Sequence, residues 1–253
     1  MRQLLTTERH DVILTLIKKK GIIKMQELVD HLQASESTIR RDLVQLEELK
    51  LLKRVHGGAA LLQRKGMEPT TLEKQNKALS EKKLLAELGS TFIENDDCIY
   101  LDAGTTISEL IPYLKDKNVT VLTNGLMHIQ KLMELEIKTV IVGGTIKAST
   151  NAVVGSTAVD FLSDYRFDKC FLGINGIHPE LGLTTPDPEE ALLKKTAIRL
   201  SNQSYVLADS SKLNEVTFAK VADVSEVILL TDNNNEAAVE QLLKNPKIKV
   251  VTI

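Results

Sequence analysis

One segment near the amino terminus combines a helix-start signal, an amphipathic helix and a short strand, and it restricts the fold more than any other part of the chain. It spans residues 35–58, which read SESTIRRDLVQLEELKLLKRVHGG. Ser35 or Ser37 can cap a helix, because a short hydroxyl side chain accepts a hydrogen bond from an otherwise unpaired amide of the first turn. The segment therefore predicts a helix that begins at one of these serines.

The predicted helix has an apolar side and a polar side. At about 100° per residue, Ile39, Leu43 and Leu46 lie together and can pack on a small core. The opposite side carries hydroxyl, amide and guanidinium groups, which can bond base edges or phosphates in a DNA major groove. Paired arginines on an arbitrary helix are usually only a solvated face, so the assignment depends on the neighbouring elements.

Two amphipathic helices are predicted upstream of this helix. The apolar positions of the first are Val12, Ile13, Leu16 and Ile17, and those of the second are Leu28, Val29 and Leu32. The first helix is expected to end near Gly21. Three short helices with a tight connection between the second and the third form a helix-turn-helix, whose later helix enters the major groove.

A short strand and a glycine turn follow the third helix. Leu51–Val55 is typical of a strand, and the two glycines of His56-Gly57-Gly58 permit positive φ and close backbone approach in a turn. We therefore predict a winged helix-turn-helix domain over residues 1–58. The candidate DNA-binding residues are Ser35, Ser37, Thr38, Arg40, Arg41, Gln45, Lys53, Arg54, His56 and Gly57.

The charge of the chain is divided unevenly, although the formal net charge is only −2. Residues 1–65 contain 13 lysines and arginines against 8 acidic residues, a net charge of +5. Residues 66–253 contain 19 against 26, a net charge of −7. The basic charge lies where the helix-turn-helix is predicted, as expected if double-stranded DNA phosphates bind there.

Length and composition indicate a soluble protein of two domains. The 253 residues suffice for one small and one medium domain, and 43% of them are hydrophobic. No apolar run is long enough to cross a bilayer and the amino terminus lacks a signal-peptide pattern, so we expect a cytoplasmic location and no membrane partner. The two cysteines, Cys98 and Cys170, each lie in a β-like run, and the five histidines are scattered. This predicts buried reduced thiols and no metal site.

Residues 59–76 lose periodicity and contain Gly66 and Pro69, which predicts a linker. Over residues 77–253, apolar β-type runs alternate with helical segments. The runs are Cys98–Asp102, Val119–Thr123, Thr139–Val142, Lys169–Ile174, Tyr205–Ala208, Val227–Thr231 and Ile248–Thr252. The helical segments include Ile107–Leu114, Leu126–Leu135, Thr157–Leu162 and Glu189–Leu200. This alternation predicts an α/β domain with a mostly parallel sheet that is covered on both faces.

Small and polar residues follow five of these runs. Ligands of open α/β sheets bind beyond the carboxyl ends of the strands, where such residues would meet. Each group alone is ordinary turn chemistry, but five at one edge indicate a binding site. The candidate effector-binding residues are Asp102, Gly104, Thr105, Thr106, Thr123, Asn124, Gly143, Gly144, Lys147, Asn175, Gly176, Asp187, Glu190, Asp209 and Lys212.

The residue types suit a phosphorylated polyol. Free amides and hydroxyls of the Gly104-Thr105-Thr106 turn, at the start of a helix, can bind a phosphate. We expect the sugar hydroxyls to bond Asp102, Asn124, Asn175 and Asp209. No adenine pocket or dinucleotide glycine pattern is indicated, so no cofactor is expected.

Residues 182–195, GLTTPDPEEALLKK, combine two prolines with an acidic helix start. The acidic residues Asp187, Glu189 and Glu190 suit the helix dipole, and capping alone would explain them. The alternative is a lid over the ligand whose order depends on occupancy.

Several motifs resemble the DeoR family of bacterial transcription repressors, and the resemblance covers nearly the whole chain. They are STIRRDL, KRVHGGA, DAGTT, TNG, GG, FDKCFLGINGI, GLTTPDPEEA and DSSK. The family implies a winged helix-turn-helix joined to a sensor domain similar in fold to ribose-5-phosphate isomerase, which binds a sugar phosphate without converting it. Lys147 stands where many relatives carry arginine, and lysine lacks the bidentate geometry of arginine toward phosphate.

Within the family, YRFDKCFLGINGI and GLTTPDPEEA look most like the repressors of fructose operons in Gram-positive bacteria, which implies fructose 1-phosphate as the effector. Relatives that sense tagatose 6-phosphate or glycerol 3-phosphate share much of this pattern. We expect a homodimer or homotetramer that binds an inverted repeat, or a direct repeat if the DNA-binding heads are flexibly tethered. The rival hypotheses are a sugar-phosphate isomerase that uses Asp209 as base and Lys212 as electrophile, and a nonspecific DNA-architectural protein.

Overall fold

The structure of the protein is a computed structural model. It describes residues 5–20, 22–49, 51–55, 57–61, 70–75 and 77–253. The chain divides into two compact units, Met1–Arg64 and Lys65–Ile253. Within the described residues, no helix is both long enough and apolar enough to span a membrane.

The amino-terminal unit contains three helices and a small sheet. In chain order its elements are α1 (Thr6–Lys20), β1 (Ile22–Lys24), α2 (Met25–Leu32), α3 (Glu36–Glu48), β2 (Leu52–Val55) and β3 (Gly58–Leu61). The strands form an antiparallel sheet in the order β1-β3-β2. The predicted winged helix-turn-helix is thereby confirmed.

The core of this unit is built by the apolar positions that the periodicity marked. Ile13 and Ile17 of α1 and Leu28 of α2 are fully buried. The apolar side of α3 packs against them, and the cluster also includes Leu52 and Ala59 of the wing. Burying these side chains is the main stabilising contribution to so small a unit, at roughly 1.5–3 kcal/mol for each large one.

The two glycines of the wing have different tasks. Gly57 lies in the turn at φ +75°, a conformation that favours glycine. Gly58 begins β3 instead of completing the turn, and a Cβ atom there would lie 2.1 Å from the carbonyl oxygen of Ile23. The strand before the turn begins at Leu52, one residue later than predicted. His56 lies outside the described residues.

The carboxy-terminal unit is larger. Its helices are α4 (Thr71–Gln75), α5 (Leu79–Ser90), α6 (Thr105–Ser108), α7 (Leu126–Glu134), α8 (Ser156–Ser163), α9 (Pro188–Arg199) and α10 (Glu236–Leu243). Its strands are β4 (Cys98–Leu101), β5 (Thr120–Thr123), β6 (Lys138–Ile141), β7 (Thr145–Lys147), β8 (Ala152–Val154), β9 (Phe167–Leu172), β10 (Gly176–His178), β11 (Gly182–Thr185), β12 (Ser201–Leu207), β13 (Ala219–Ala222), β14 (Ile228–Thr231) and β15 (Lys249–Thr252). Short 3-10 turns occur at Ile111–Leu114, Ser210–Lys212 and Val224–Glu226.

Seven of these strands form one sheet, and every neighbouring pair in it is parallel. The strand order is β15-β14-β12-β9-β4-β5-β6. Alternate residues of the strands belong to two separate apolar clusters. Tyr100 and Leu122 pack with α8 and α9 residues, whereas Ile99 and Val121 pack with α5 residues. The sheet is therefore covered on both faces, as predicted.

Several local features differ from the sequence predictions. Strands β7 and β8 form a separate antiparallel hairpin, and β10, β11 and β13 form a small antiparallel sheet. The helix predicted over Ile107–Leu114 is divided into α6 and a 3-10 turn, because Pro112 has no N–H to bond the carbonyl of Ser108.

Residues 59–76, the predicted linker, include regular structure at both ends. The first residues belong to β3, which pairs with β1 and β2, and the last belong to α4. Neither element shows an apolar periodicity in the sequence. Strand β3 is held by its pairing with β1 and β2, and α4 has no buried side chain. Of the two cysteines, Cys170 is buried as predicted, but Cys98 is exposed because it begins β4 at the rim of the sheet. Both thiols are free.

Candidate functional site

The third helix of the amino-terminal unit presents the predicted polar surface. Ser35 is its N-cap: the Oγ atom accepts the N–H of Thr38 at 3.2 Å and lies 2.9 Å from Oγ of Ser37. The capping question is thus resolved in favour of Ser35, and the hydroxyls at the helix start are already bonded to one another. Gln45 and Arg41 are exposed on the same helix.

The arginines of this unit differ in their surroundings. Arg40 forms an ion pair with Glu36, one turn earlier, at 2.6 Å. Arg54 of the wing is held by Glu47, whose carboxylate accepts both the backbone N–H and Nε of Arg54 at 2.8 and 2.6 Å. Arg41 has no acidic partner among the described residues. Of these three arginines, Arg41 is therefore the one whose guanidinium is not paired with a carboxylate of the described residues.

A cavity opens at the carboxyl ends of strands β4, β9 and β12 within the carboxy-terminal unit. It measures about 740 Å³ including its open mouth. Seven of the candidate effector-binding residues line it, namely Gly104, Thr105, Thr106, Asn175, Glu190, Asp209 and Lys212. The structure thus brings together groups from three separate strand ends, although their roles as ligands stay a prediction.

The turn after β4 offers hydrogen-bond donors to this cavity. Residues 103–106 are half-buried, and the N–H of Ala103 is bonded to Oδ1 of Asn124 at 2.8 Å. Among the described residues, no acceptor is bonded to the N–H groups of Thr105 and Thr106. The turn therefore offers two backbone N–H groups and two hydroxyl groups at the cavity, and a bound anion could accept hydrogen bonds from them.

The wall of the cavity is basic. Five lysines line it against two carboxylates, Glu190 and Asp209; the lysines are Lys74, Lys77, Lys82, Lys194 and Lys212. Burial lowers the pKa of Lys212 and of Lys82, and Asp209 opposes this effect. Burial by itself raises the pKa of Asp209, but the lysines and Ser211 outweigh it and the pKa is lowered. A bound anion would favour the charged forms of both lysines.

Asp102 lies beneath the cavity and pairs with one of its lysines. Asp102 is 2% exposed, and its carboxylate forms an ion pair with Lys194 and accepts the N–H of Gly173 at 3.2 Å. Burial raises the pKa of Asp102, and Lys194 opposes this shift. Asp102 therefore positions Lys194 at the wall, which differs from the predicted role of bonding a sugar hydroxyl.

Lys147, Asp187 and Glu190 form an ion-pair cluster at the start of α9. Nζ of Lys147 lies 2.8 Å from Asp187 and 2.9 Å from Glu190. The hydroxyl of Thr150 also donates to Glu190, at 2.8 Å. Asp187 is the N-cap of α9 as well, since it accepts the N–H of Glu189. Lys147 thus joins the β7–β8 hairpin to α9 and does not line the cavity.

Other candidate residues support the cavity from behind. The Thr123 hydroxyl donates to the carbonyl of Leu101 at 2.7 Å, and Nδ2 of Asn124 donates to that of Val153 at 3.1 Å. Both side chains are buried. They fix the strand ends, and neither side chain is among the residues that line the cavity.

Three candidate glycines also lie outside the cavity wall. Gly143 and Gly144 are exposed before β7. Gly176 lies in β10, where a Cβ atom would be 2.5 Å from the carbonyl of Glu215. These glycines serve close packing and turns.

A second lobe adjoins the cavity and shares Thr71, Gly104, Thr105 and Thr150 with it. Lys131 lines this lobe, where its Nζ donates to Oγ of Ser108 at 2.9 Å. His128 also borders the lobe but is 1% exposed, and burial lowers its pKa to about 4. Glu109 balances the charge of Lys131 in the lining, so this lobe is nearly neutral and lies beside a basic one.

Sequence reasoning missed several residues of the wall. They are Thr71, Lys74, Lys77, Lys82, Thr150 and Lys194. The lysine-rich stretch of residues 74–83 was the available signal, since it carries four lysines at and before the start of helix α5.

A winged helix-turn-helix joined to a separate α/β unit is an arrangement found in transcription regulators. Comparison with known families places the chain within this class. Its residues 9–65 match the DeoR-like helix-turn-helix domain, and residues 77–233 match the DeoR C terminal sensor domain. The chain belongs to the DeoR family of transcriptional repressors.

Curated relatives are similar over nearly the full length. The uncharacterized HTH-type transcriptional regulator FruR of Bacillus subtilis (strain 168) is 46% identical over 98% of this chain and 99% of that protein. A lactose phosphotransferase system repressor of Staphylococcus epidermidis is 34% identical over 90% of this chain and 92% of that protein. Among solved structures, ribose 5-phosphate isomerase A from Methanocaldococcus jannaschii is 18% identical, with a TM-score of 0.41 over 54% of this chain and 55% of that chain.

Proposed function

We propose that this protein represses a sugar-utilisation operon, binds its operator as a homodimer or homotetramer, and releases it when a sugar phosphate occupies the cavity of the carboxy-terminal unit. Fructose 1-phosphate is the proposed effector. The observation that carries the proposal is that five lysines line the same cavity as Thr105 and Thr106. Among the described residues, the backbone N–H groups of these two threonines have no acceptor. Backbone N–H groups and lysines together are the groups that bind a phosphate dianion.

The rest of the cavity suits a polyol. Oδ1 of Asn175 accepts the hydroxyl of Thr185 at 2.9 Å, and among the described residues its Nδ2 group has no acceptor. The carboxylates of Glu190 and Asp209 supply acceptors for hydroxyl groups. A ligand with a phosphate at one end and hydroxyl groups along its length can bind both the basic groups of the cavity and these amide and carboxylate groups.

The choice of fructose 1-phosphate among sugar phosphates draws on the relatives. The FruR regulator is the more similar of the two that are named above, at 46% identity. The lactose phosphotransferase system repressor supports a role in sugar uptake more generally. Tagatose 6-phosphate and glycerol 3-phosphate are the competing effectors.

Binding and release together test the proposal. We expect fructose 1-phosphate to raise the melting temperature of the full chain, because a ligand at 100 times its Kd stabilises by about 2.7 kcal/mol. We also expect it to lower the affinity for an operator that is selected from random DNA. Tagatose 6-phosphate, glycerol 3-phosphate and inorganic phosphate are run in parallel. If none of the sugar phosphates changes either the melting temperature or DNA binding, the proposal is wrong.

An isomerase is the second candidate, since Asp209 and Lys212 both line the cavity and are close enough to shift each other's pKa. The relatives above carry the names of transcription regulators and not of enzymes, which favours a sensor. Incubation with aldose and ketose phosphates separates the two. Turnover that Lys212→Met abolishes would establish the enzyme.

A further inference from the structure

Helix α4 lies at the cavity without any contribution from a hydrophobic core. All of its side chains are exposed or half-buried, and Leu72 is 79% exposed. A helix of five residues is not stable by itself, because too few hydrogen bonds repay its nucleation. Polar contacts must therefore hold α4 in place.

Hydrogen bonds at both ends of α4 connect it to the rest of the carboxy-terminal unit. The N–H of Thr71 donates to the carbonyl of Ser149 at 3.0 Å. At the other end, the buried Nζ of Lys82 donates to the carbonyl of Lys74. Within the helix, Glu73 accepts the N–H and the hydroxyl of Thr70 at 2.7 and 2.9 Å, which caps the first turn.

Both contacts lie at the wall of the effector cavity. Ser149 precedes Thr150, which lines the cavity and is bonded to Glu190. Lys82 lines the cavity beside Asp209 and Lys212. Thr71 and Lys74 themselves line it. A phosphate in the cavity is therefore surrounded by α4 and by the groups that hold α4.

The position of α4 in the chain links these contacts to the length of the connection between the two units. Residues 65–70 connect α4 to the unit that carries the helix-turn-helix. If residues 71–77 detach from the carboxy-terminal unit, the connection between the two units becomes seven residues longer. At roughly 3.5 Å per extended residue, the maximum reach of the connection then grows by about 25 Å.

We propose that α4 is part of the effector site and that a bound sugar phosphate fastens it to the carboxy-terminal unit, which shortens the tether of the DNA-binding unit. This inference rests on the proposed function. A shorter tether restricts which pairs of half-sites two heads of an oligomer can reach together. Because coupling is reciprocal, operator binding that needs the longer tether must weaken effector binding by the same factor.

Hydrogen–deuterium exchange of the full chain tests the fastening directly. We expect fructose 1-phosphate to slow exchange of the amides of residues 71–77, because no side chain of α4 is buried in a core that would protect the helix otherwise. Exchange in the remote helix α10 serves as the internal reference.

A pair of variants tests whether the stability of α4 contributes to affinity. Glu73→Ala removes the cap of α4 but no residue of the cavity wall, and we expect it to weaken fructose 1-phosphate binding about threefold to tenfold. Glu87→Ala, an exposed position on α5, is the matched control and should bind like the wild type. Operator affinity without effector should be the same in all three proteins.

The outcomes separate the two proposals. If fructose 1-phosphate binds and releases the operator, but residues 71–77 exchange equally fast and Glu73→Ala binds it like the wild type, the role of α4 is refuted and the proposed function stands. If the wild type binds neither this nor the other sugar phosphates, both proposals are overturned. Slowed exchange together with a weakened Glu73→Ala variant supports both.

Discussion

Arg9 on α1 and Asp42 on α3 form a two-point ion pair, with Nε–Oδ2 and Nη2–Oδ1 distances of 2.7 and 2.9 Å. Asp42 is 2% exposed, and His10 places its Nε2 atom 3.3 Å from Oδ1 of the same carboxylate. The acidic residue next to Arg41 therefore points into the unit and is neutralised there. It does not oppose the phosphates that α3 is expected to approach.

The first prediction concerns the stability of this unit. Asp42→Ala should lower its free energy of unfolding by about 1–3 kcal/mol, because Arg9 then loses both hydrogen bonds to a charged group. Urea unfolding followed by circular dichroism measures the change. All four tyrosines lie between residues 100 and 205, so tyrosine fluorescence follows the other unit and should be unchanged. Glu48→Ala, an exposed change on the same helix, is the control, and an equal loss there would contradict the argument.

The second prediction compares adjacent arginines of α3. Arg41→Ala should cost about 1–3 kcal/mol of discrimination between operator and random DNA if Arg41 reads a guanine. Arg40→Ala should cost less, because Glu36 already pairs with Arg40 at 2.6 Å. Fluorescence anisotropy at several salt concentrations measures both. An equal loss on operator and random DNA would make Arg41 a phosphate contact instead.

The third prediction concerns the two wing glycines. Gly58→Ala should destabilise the amino-terminal unit more than Gly57→Ala, because its Cβ atom would lie 2.1 Å from the carbonyl oxygen of Ile23. Gly57→Ala meets no atom within 4 Å and costs only the strain of φ +75°, on the order of 1 kcal/mol. Urea midpoints of the two variants decide the order. The reverse order would mean that β1 and β3 are not in this register.

The fourth prediction is a loss of stability in acid. Burial lowers the pKa of His128 to about 4, with Gly104 opposing and Lys131 adding to the shift. Between pH 6.5 and 4 the unfolded chain thus binds more protons than the folded one, so the free energy of unfolding falls as the pH falls. Between pH 7 and pH 5 the loss should be about 2 kcal/mol. Urea unfolding followed by tyrosine fluorescence measures it. His128→Asn should reduce the difference between the two pH values, and an unchanged difference would assign it to other groups.

The fifth prediction separates effector binding from DNA binding. Thr105→Val removes one hydroxyl from the wall shared by both lobes, and it should weaken sugar phosphate binding by roughly tenfold, as expected for one hydrogen bond to a charged group. Operator binding without effector should persist. Thr157→Val, an exposed change on α8, is the matched control. Unchanged affinity of Thr105→Val for fructose 1-phosphate would mean that the phosphate lies elsewhere.

The parallel sheet and the helix-turn-helix were predictable because their signals are local. Runs such as Tyr205–Ala208 are continuously apolar, as is typical of a strand that is buried on both faces. The core positions of α1 and α3 recur at helical spacing. A short antiparallel strand such as β13 carries no such signal, since its partner β11 ends more than 30 residues earlier in the chain and long-range contacts decide the pairing.

The site was predictable where residues follow strands and not where they come from elsewhere. Gly104, Asn175 and Asp209 were found because the carboxyl ends of parallel strands share one edge. Lys74 and Lys82 were not, because α4 has no apolar stripe and helix α5 begins after a segment with linker-like composition. The local sequence also does not predict that Asp102 pairs with Lys194, or that Lys147 pairs with acidic residues at the start of α9. The partners are more than 35 positions apart in the chain.

The parallel sheet ends in β6 on one side and β15 on the other, and within the described part of the chain each of these strands has a neighbouring strand on one side only. Both begin with an exposed lysine, Lys138 and Lys249. A strand from another molecule that extended the sheet would have to desolvate one of these ammonium groups. The lysines at the two open margins of the sheet therefore disfavour its extension by a strand from another molecule.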